Sequence, residues 1–172
     1  QRLTIPALLK NDKDIIGQAQ TGTGKTAAFS LPIIENFENL EHIQAIVLTP
    51  TRELAVQVSE EIYSLKGKKE IKVLAVYGGA SIETQLKNLK KGIDIVVGTP
   101  GRVMDMMRKK ALDLSMLEYF ILDEADEMLN MGFIEDVRFI LSKITSRHQT
   151  LLFSATMPKT IMELSKDFMK DY

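Results

Sequence analysis

Residues 19–26 read AQTGTGKT, and these residue types at this spacing could bind phosphate. The usual pattern of a phosphate-binding loop is G-x-x-x-x-G-K-[ST], in which backbone N–H groups of a glycine-rich turn surround the phosphates. Lys25 can reach the β- and γ-phosphates, and the hydroxyl of Thr26 can bind Mg²⁺. Ala19 replaces only the outermost glycine, where alanine is acceptable unless a positive φ is required. The stretch therefore predicts a nucleotide site formed by Thr21, Gly22, Thr23, Gly24, Lys25 and Thr26.

A run of acidic residues, Asp123-Glu124-Ala125-Asp126, directly follows the apolar residues 119–122. In proteins with a phosphate loop, an acidic residue at a strand end completes the binding of Mg²⁺. Hydrolysis also needs a group that orients water and partly removes its proton, and a neighbouring carboxylate can do both. We therefore predict that Asp123 joins Thr26 at the metal, that Glu124 acts on the water, and that Lys25 completes the catalytic set. The alternative is an ordinary acidic helix N-terminus, which the helix dipole favours without any nucleotide.

Six short apolar runs, separated by helical patterns, predict the framework that would hold these residues. Such runs are typical of strands buried on both faces of a parallel sheet. Their alternation with helices predicts an α/β fold with a mostly parallel central sheet and helices on both faces. The predicted strands are residues 14–17, 45–49, 73–77, 93–98, 119–122 and 150–153, and the predicted helices are 26–36, 52–64, 82–89, 102–109, 134–144 and 158–169. Ligands bind outside the carboxyl ends of such strands, where the loop and the acidic run both fall.

The composition indicates a globular protein with a single domain over residues 1–172, since 45% of the residues are apolar and 26% are charged. The absence of cysteine excludes disulfides and thiolate metal sites. No apolar run approaches the ~20 residues of a membrane-spanning helix, and residues 1–6 lack the pattern of a signal peptide. We therefore expect a cytoplasmic protein without a membrane partner, and the missing initiator Met suggests a piece of a longer chain. The net charge of −1 argues against binding nucleic acid through bulk charge, so any such binding would use a few aimed groups.

Two predicted strands end in similar sequences, Thr49-Pro50-Thr51-Arg52 and Thr99-Pro100-Gly101-Arg102. Each leads into a helix, so that free N–H groups and an arginine lie beside the positive end of the helix dipole, which suits a backbone phosphate. Gly78-Gly79, after the third strand, allows a close approach of another backbone. Contacts of this kind hold phosphate and sugar rather than read bases. Helix capping explains Thr and Pro equally well without a ligand, and the residues alone leave both interpretations open.

The acidic run spells D-E-A-D, and the longer stretch LDEADEMLNMGF at residues 122–133 resembles the DEAD-box RNA helicase family. Other motifs of that family occur in the expected order: the loop at 19–26, PTRELA at 50–55, the Gly78-Gly79 doublet, TPGR at 99–102 and SAT at 154–156. The resemblance covers essentially the whole chain, and members of the family commonly begin the loop with alanine. Asp126, rather than a histidine, makes the chain similar to DEAD rather than DEAH proteins.

The resemblance implies a RecA-like P-loop NTPase domain of an ATP-dependent RNA helicase, in which ATP and Mg²⁺ drive RNA binding and local strand separation. It implies that Gln1 contacts adenine, because the family has a glutamine five residues before a proline such as Pro6, although the family's upstream aromatic residue is missing here. Asp126 would couple to Ser154 and Thr156 and link the nucleotide site to a second domain. A single strand of RNA, recognised without regard to sequence, would be held by Pro50, Thr51, Arg52, Gly78, Gly79, Thr99, Pro100, Gly101 and Arg102.

Members of the family have a second RecA-like domain that supplies arginine fingers, and no segment of this chain resembles them. The resemblance thus implies that residues 1–172 are the first of two domains and that alone they bind nucleotide weakly and hydrolyse it very slowly. Two other functions are alternatives at this point. One is an ATP-gated RNA clamp within a larger ribonucleoprotein particle, and the other is a P-loop DNA translocase.

Overall fold

The computed structural model describes residues 2–6, 13–20, 24–170 and 172, and its strands form one six-stranded sheet. The strands are β1 (Ile15–Gln18), β2 (Ala45–Leu48), β3 (Val73–Val76), β4 (Ile95–Gly98), β5 (Tyr119–Leu122) and β6 (Gln149–Ser154). Their order across the sheet is β1-β6-β5-β2-β4-β3, and every pair of neighbours is parallel. The six predicted strands and the parallel sheet are therefore confirmed, with small differences at the strand ends.

Every strand is followed by at least one helix. The helices are α1 (Lys25–Glu35), α2 (Arg52–Leu65), α3 (Ile82–Lys90), α4 (Pro100–Arg108), α5 (Ala125–Asn130), α6 (Ile134–Lys143) and α7 (Lys159–Phe168). All the predicted helices are confirmed, whereas α5 was not predicted. The prediction also placed the start of α4 too late, because Pro100 occupies its first turn, where proline suits a helix.

Alternate residues of the strands enter two separate hydrophobic cores, one on each face of the sheet. In β2, Ile46 and Leu48 belong to the core that includes residues of α4 to α7. Val47 belongs to the other core, which α1 and α2 complete with residues such as Phe29 and Val58. Burial on both faces explains the near-continuous apolar runs, and it confirms the prediction of helices on both faces.

The carboxyl ends of the six strands lie along one edge of the sheet, because all the strands are parallel. The strand order divides this edge into two halves. The segments after β1, β6 and β5 are neighbours in the first half, and those after β2, β4 and β3 are neighbours in the second. Among the helices of the described residues, none combines the length and the apolar character needed to cross a membrane.

Candidate nucleotide and RNA site

The first half of the edge contains the start of α1, directly after the predicted phosphate loop. Gly24 caps this helix in the left-handed conformation, with a φ of 75° and a ψ of 23°, which glycine adopts readily. Lys25 and Thr26 begin the helix with only 9% and 7% of their surfaces exposed. The lysine and the threonine of the motif thus lie at a helix N-terminus, as a phosphate loop requires. The remaining predicted nucleotide contacts, Gln1, Thr21, Gly22 and Thr23, lie outside the described residues.

Lys25 lies against the acidic residues that follow β5. Its Nζ is 2.9 Å from Oδ1 of Asp123 and 3.8 Å from Oε1 of Glu124. The two motifs are far apart in sequence, and the sheet brings them together because β6 alone separates β1 from β5. The three residues that the sequence predicts to be catalytic therefore form one cluster.

Asp123 is a completely buried carboxylate at the end of β5. Within the described residues, neither of its oxygens receives a hydrogen bond of good geometry, although the Lys25 ammonium is close. Burial raises the pKa of Asp123, and the attraction of Lys25 offsets only part of that rise. A buried carboxylate in this state is costly, and a divalent cation would favour its charged form and use its oxygens. Asp123 therefore fits a metal site.

Glu124 is the N-cap of α5 and adopts the left-handed conformation, with a φ of 54° and a ψ of 53°. A positive φ is uncommon for a residue with a side chain and costs roughly 1 kcal/mol. The Glu124 side chain is 20% exposed, whereas that of Asp123 is fully buried. The two adjacent carboxylates thus have different surroundings, one suited to an enclosed ion and the other reachable by water.

Asp126 connects α5 to the end of β6. Its Oδ2 accepts hydrogen bonds from N and Oγ1 of Thr156, at 3.0 and 2.9 Å, and its own N–H donates to Oγ of Ser154 at 3.1 Å. The Ser154 carbonyl in turn accepts from N–H of Ala19 at 3.0 Å. Burial raises the pKa of Asp126, but the hydrogen bonds from Thr156, Ser154 and Glu127 together outweigh it, so the pKa is lowered. These bonds tie the acidic run, the segment after β6 and the start of the phosphate loop into one unit.

The second half of the edge contains the predicted RNA-binding segments. Oγ1 of Thr51 accepts a hydrogen bond from N–H of Leu54 at 3.2 Å and so caps α2. Arg52 is exposed, and its guanidinium lies 4.9 Å from the ring centroid of Tyr77, which follows β3. Thr99 precedes α4 but makes no capping hydrogen bond with its side chain. Helix capping therefore explains the hydroxyl of Thr51 but not that of Thr99.

The glycines of these segments leave open space for a ligand backbone. Gly78 and Gly79 are exposed, and Gly79 has a φ of 78°, which favours glycine. A Cβ atom added at Gly101 would meet no atom within 4 Å. Pro50 and Pro100 are buried, so their rings shape the turns that lead into α2 and α4.

Arg102 is oriented by two hydrogen bonds within the protein. Its Nη1 donates to Oε1 of Gln85 at 2.9 Å, and its Nη2 donates to the carbonyl of Ala80 at 3.2 Å. Sequence reasoning missed Gln85, which is only 6% exposed. The sequence could have indicated that Gln85 is buried, because this polar residue lies on the same helical face as the apolar residues Ile82, Leu86 and Leu89.

Comparison with known proteins identifies the family. The DEAD/DEAH box helicase family matches residues 1–164 of this chain. The DEAD-box ATP-dependent RNA helicase CshA of Streptococcus pneumoniae is 58% identical over 171 residues, which are 99% of this chain and 32% of that protein. A probable ATP-dependent RNA helicase of Methanocaldococcus jannaschii is 53% identical over 172 residues, which are 100% of this chain and 47% of that protein. The chain thus spans from 32% to 47% of the length of these relatives.

Solved structures agree with the fold. The crystal structure of a DEAD box protein from the hyperthermophile Methanococcus jannaschii matches with a TM-score of 0.95 and 53% identity, covering 98% of this chain and 46% of that one. A hypothetical ATP-dependent RNA helicase from Sulfolobus tokodaii matches with a TM-score of 0.92 and 43% identity, covering 99% of this chain and 50% of that one. These neighbours confirm the predicted RecA-like α/β fold. With a family match over most of its length and relatives more than half identical to it, this chain belongs to the DEAD/DEAH box helicase family.

Proposed function

We propose that this chain is the first, ATP-binding domain of an ATP-dependent RNA helicase, which couples ATP hydrolysis to RNA binding and local strand separation. The observation that carries the proposal is the cluster of Lys25, Asp123 and Glu124, with distances of 2.9 and 3.8 Å. This cluster shares one sheet edge with the loops of Arg52 and Arg102, so the nucleotide and RNA halves are adjacent. The names of the relatives, ATP-dependent RNA helicases, support the same activity.

The first half of the edge would bind the nucleotide. Lys25 would exchange its ion pair with Asp123 for the β- and γ-phosphates of ATP. Thr26 and Asp123 would hold Mg²⁺, because both present the hard oxygen ligands that this ion prefers. Bound there, the ion would neutralise the charge that develops on the phosphates. Backbone N–H groups of Thr21, Gly22, Thr23 and Gly24 would surround the phosphates, and Gln1 would contact adenine.

Glu124 would act on the attacking water. It is the partly exposed carboxylate of the cluster, so water can reach it without displacing the buried Asp123. A carboxylate in that position can orient water towards the γ-phosphate and take up its proton. Its left-handed backbone conformation supports the assignment, since such strain concentrates at functional sites.

The second half of the edge would hold single-stranded RNA by its backbone. The exposed Arg52 would contact phosphate, and the open surfaces of Gly78, Gly79 and Gly101 would let the sugar-phosphate chain approach closely. The remaining members of this surface would be Pro50, Thr51, Thr99, Pro100 and Arg102. A few aimed groups of this kind suit a chain with a net charge of −1.

The unit formed by Asp126, Ser154 and Thr156 would transmit the state of the nucleotide. It joins the residue after the catalytic carboxylates to the segment after β6 and to the start of the phosphate loop. We propose that a second RecA-like domain of the same protein contacts this unit when ATP and RNA are bound. A cytoplasmic location is part of the same proposal.

The test is ATP hydrolysis by the full-length protein, measured with and without single-stranded RNA. We expect RNA to stimulate turnover more than DNA of the same sequence. Lys25→Ala should abolish nucleotide affinity, because it removes the charge that binds the phosphates. Glu124→Gln should preserve nucleotide affinity but lower turnover by about 10²–10⁴-fold, the usual contribution of a general base.

Glu127→Gln is the matched control, because it makes the same change on an exposed side chain three residues further along. Its turnover should equal that of the unsubstituted protein. Unchanged turnover in Glu124→Gln would remove Glu124 from its proposed role. Stimulation by DNA in preference to RNA would instead favour a DNA translocase.

A further inference from the structure

Gln85 is a buried amide in α3 that uses both ends of its side chain. Its Oε1 accepts hydrogen bonds from N–H of Tyr77 at 3.3 Å and from Nη1 of Arg102 at 2.9 Å. Its Nε2 donates to the carbonyl of Tyr77 at 3.1 Å. With only 6% of its surface exposed, Gln85 makes these bonds away from competing water.

The bonds from Gln85 to Tyr77 extend the backbone hydrogen bonding beyond β3, an outer strand of the sheet. Among the described strands β3 is the last of the sheet, and it pairs with β4 on one side. The Val76 carbonyl points towards β4, where it accepts from N–H of Thr99 at 3.1 Å. The backbone groups of the next residue, Tyr77, therefore point away from β4. Gln85 satisfies both of them and so holds the chain just before Gly78 and Gly79.

The same amide reaches the other predicted RNA-binding segments. Through Arg102 it contacts the start of α4, and Arg102 also binds the carbonyl of Ala80, directly after the glycine doublet. Through Tyr77 it is linked to Arg52, whose guanidinium lies over the Tyr77 ring at 4.9 Å. Three loops that come from different parts of the chain thus share one buried polar centre.

We propose that Gln85, together with Tyr77, is a positioning residue for RNA binding, which holds these three loops in one arrangement before RNA arrives. The inference rests on the proposed function and deepens it, since it assigns a role within the RNA half of the edge. A site held in place in advance binds more tightly, because its loops lose less conformational freedom on binding. Within the described part of the chain the hydrogen bonds of Gln85 go to Tyr77 and Arg102 and not to Lys25, Asp123 or Glu124, so we expect its loss to leave the nucleotide half unchanged.

Gln85→Met tests the proposal, because methionine has a similar length but neither donates nor accepts strongly. We expect the full-length protein with this change to bind a single-stranded oligonucleotide, in the presence of a non-hydrolysable ATP analogue, about tenfold more weakly or worse. Affinity for the analogue and kcat at saturating RNA should stay the same. Gln85→Glu keeps the acceptor for Arg102 but loses the donor to the Tyr77 carbonyl, and it should recover only part of the RNA affinity. Gln57→Met, the same change on an exposed residue of α2, is the matched control.

A double-mutant cycle with Arg102→Met separates positioning from general stability. If Gln85 acts by orienting Arg102, Gln85→Met should cause little further loss of RNA affinity once Arg102 is gone.

A second pair of variants tests Tyr77 without changing Gln85. Tyr77→Phe should bind RNA normally, whereas Tyr77→Leu, which removes the ring beneath Arg52, should bind about two- to fivefold more weakly.

Several outcomes would overturn the proposal. Unchanged RNA affinity in Gln85→Met would do so, and so would a parallel fall in melting temperature, nucleotide affinity and RNA affinity, which indicates a structural role only. If Gln85→Met does not fold, equal RNA affinity in Tyr77→Leu and Tyr77→Phe decides against it. Failure of the unsubstituted protein to bind RNA at all would refute the proposed function and this inference together.

Discussion

Two helices at the nucleotide site begin from a residue in the left-handed conformation, Gly24 before α1 and Glu124 before α5. Glycine adopts that conformation at little cost, and its place in the loop made it predictable from the sequence. Glutamate rarely adopts it, so the positive φ of Glu124 could not be predicted from its residue type. Separate roles for Asp123 and Glu124 were predicted from their position after an apolar run and remain a prediction, whereas the burial of one carboxylate and the partial exposure of the other could not be predicted from the sequence.

Asp126 gives a prediction about stability and pH. Its pKa is lower in the folded protein than in the unfolded chain, because burial, which raises the pKa, is outweighed by the hydrogen bonds from Thr156, Ser154 and Glu127 taken together. Asp126 therefore contributes stability above its unfolded pKa, and this contribution is lost as the pH falls through its folded pKa. In Asp126→Asn, one oxygen becomes an amide donor that cannot accept a hydrogen bond. The free energy of unfolding at neutral pH should fall by about 1–2 kcal/mol.

Urea denaturation at neutral pH and at about pH 3.5, below the ordinary pKa of aspartate, is the measurement. The difference between the unsubstituted protein and Asp126→Asn should shrink at the lower pH, because Asp126 of the unfolded chain begins to take up a proton there before the folded protein does. Asp105→Asn, on an exposed carboxylate of α4, is the control and should show little difference at either pH. A difference for Asp126→Asn that stays constant with pH would contradict the assigned cause.

At the scale of elements, the strands and the longer helices could be predicted because their residues fall into apolar runs and helical spacing. α5 escaped prediction since it has only six residues, too few for a helical pattern to be distinct or for a helix to be stable alone. Tertiary bonds hold it, among them that from N–H of Asp126 to Ser154. The contacts of Gln85 and Tyr77 were missed for a related reason, because they depend on how α3 packs beside the end of β3.

Two glycines near α4 should respond in opposite ways to alanine. A Cβ at Gly98 would lie 2.7 Å from Cγ2 of both Val76 and Val103 and 3.0 Å from the Val76 carbonyl oxygen. Gly98→Ala should therefore lower the free energy of unfolding by about 1–3 kcal/mol. Gly101 lies inside α4 with open space around it, so Gly101→Ala should stabilise the protein by up to about 1 kcal/mol.

The functional effect of Gly101→Ala separates the two interpretations of TPGR. If RNA approaches this backbone closely, the added methyl group should weaken RNA binding although the protein becomes more stable. Thermal denaturation and RNA affinity, measured on the same preparations, test this directly. Equal RNA affinity with higher stability would support plain helix capping at this position.

At the scale of the whole molecule, the strand order decides what the motifs can do together. The sequence places the motifs after successive strands, but it does not reveal that β6 and β5 lie beside β1 or that β2, β4 and β3 form the other half. That order depends on packing between distant segments, which a local pattern does not record. The strand order places the half of the sheet edge with Lys25, Asp123 and Glu124 next to the half with Arg52, Arg102 and the exposed glycines.

The last prediction concerns the rate at which residues 1–172 hydrolyse ATP without the rest of the protein. In related phosphoryl transfers an arginine finger contributes ~10³–10⁵ in rate, and we propose that the second domain of the full-length protein supplies one. Residues 1–172 alone should therefore hydrolyse ATP slower than the full-length protein by a factor of that size, and RNA should not stimulate them. ATPase assays on both proteins at equal concentration, with Glu124→Gln of the full-length protein as the background, make the comparison. Steady RNA-stimulated turnover by the 172 residues alone would show that this edge completes the reaction without a second domain.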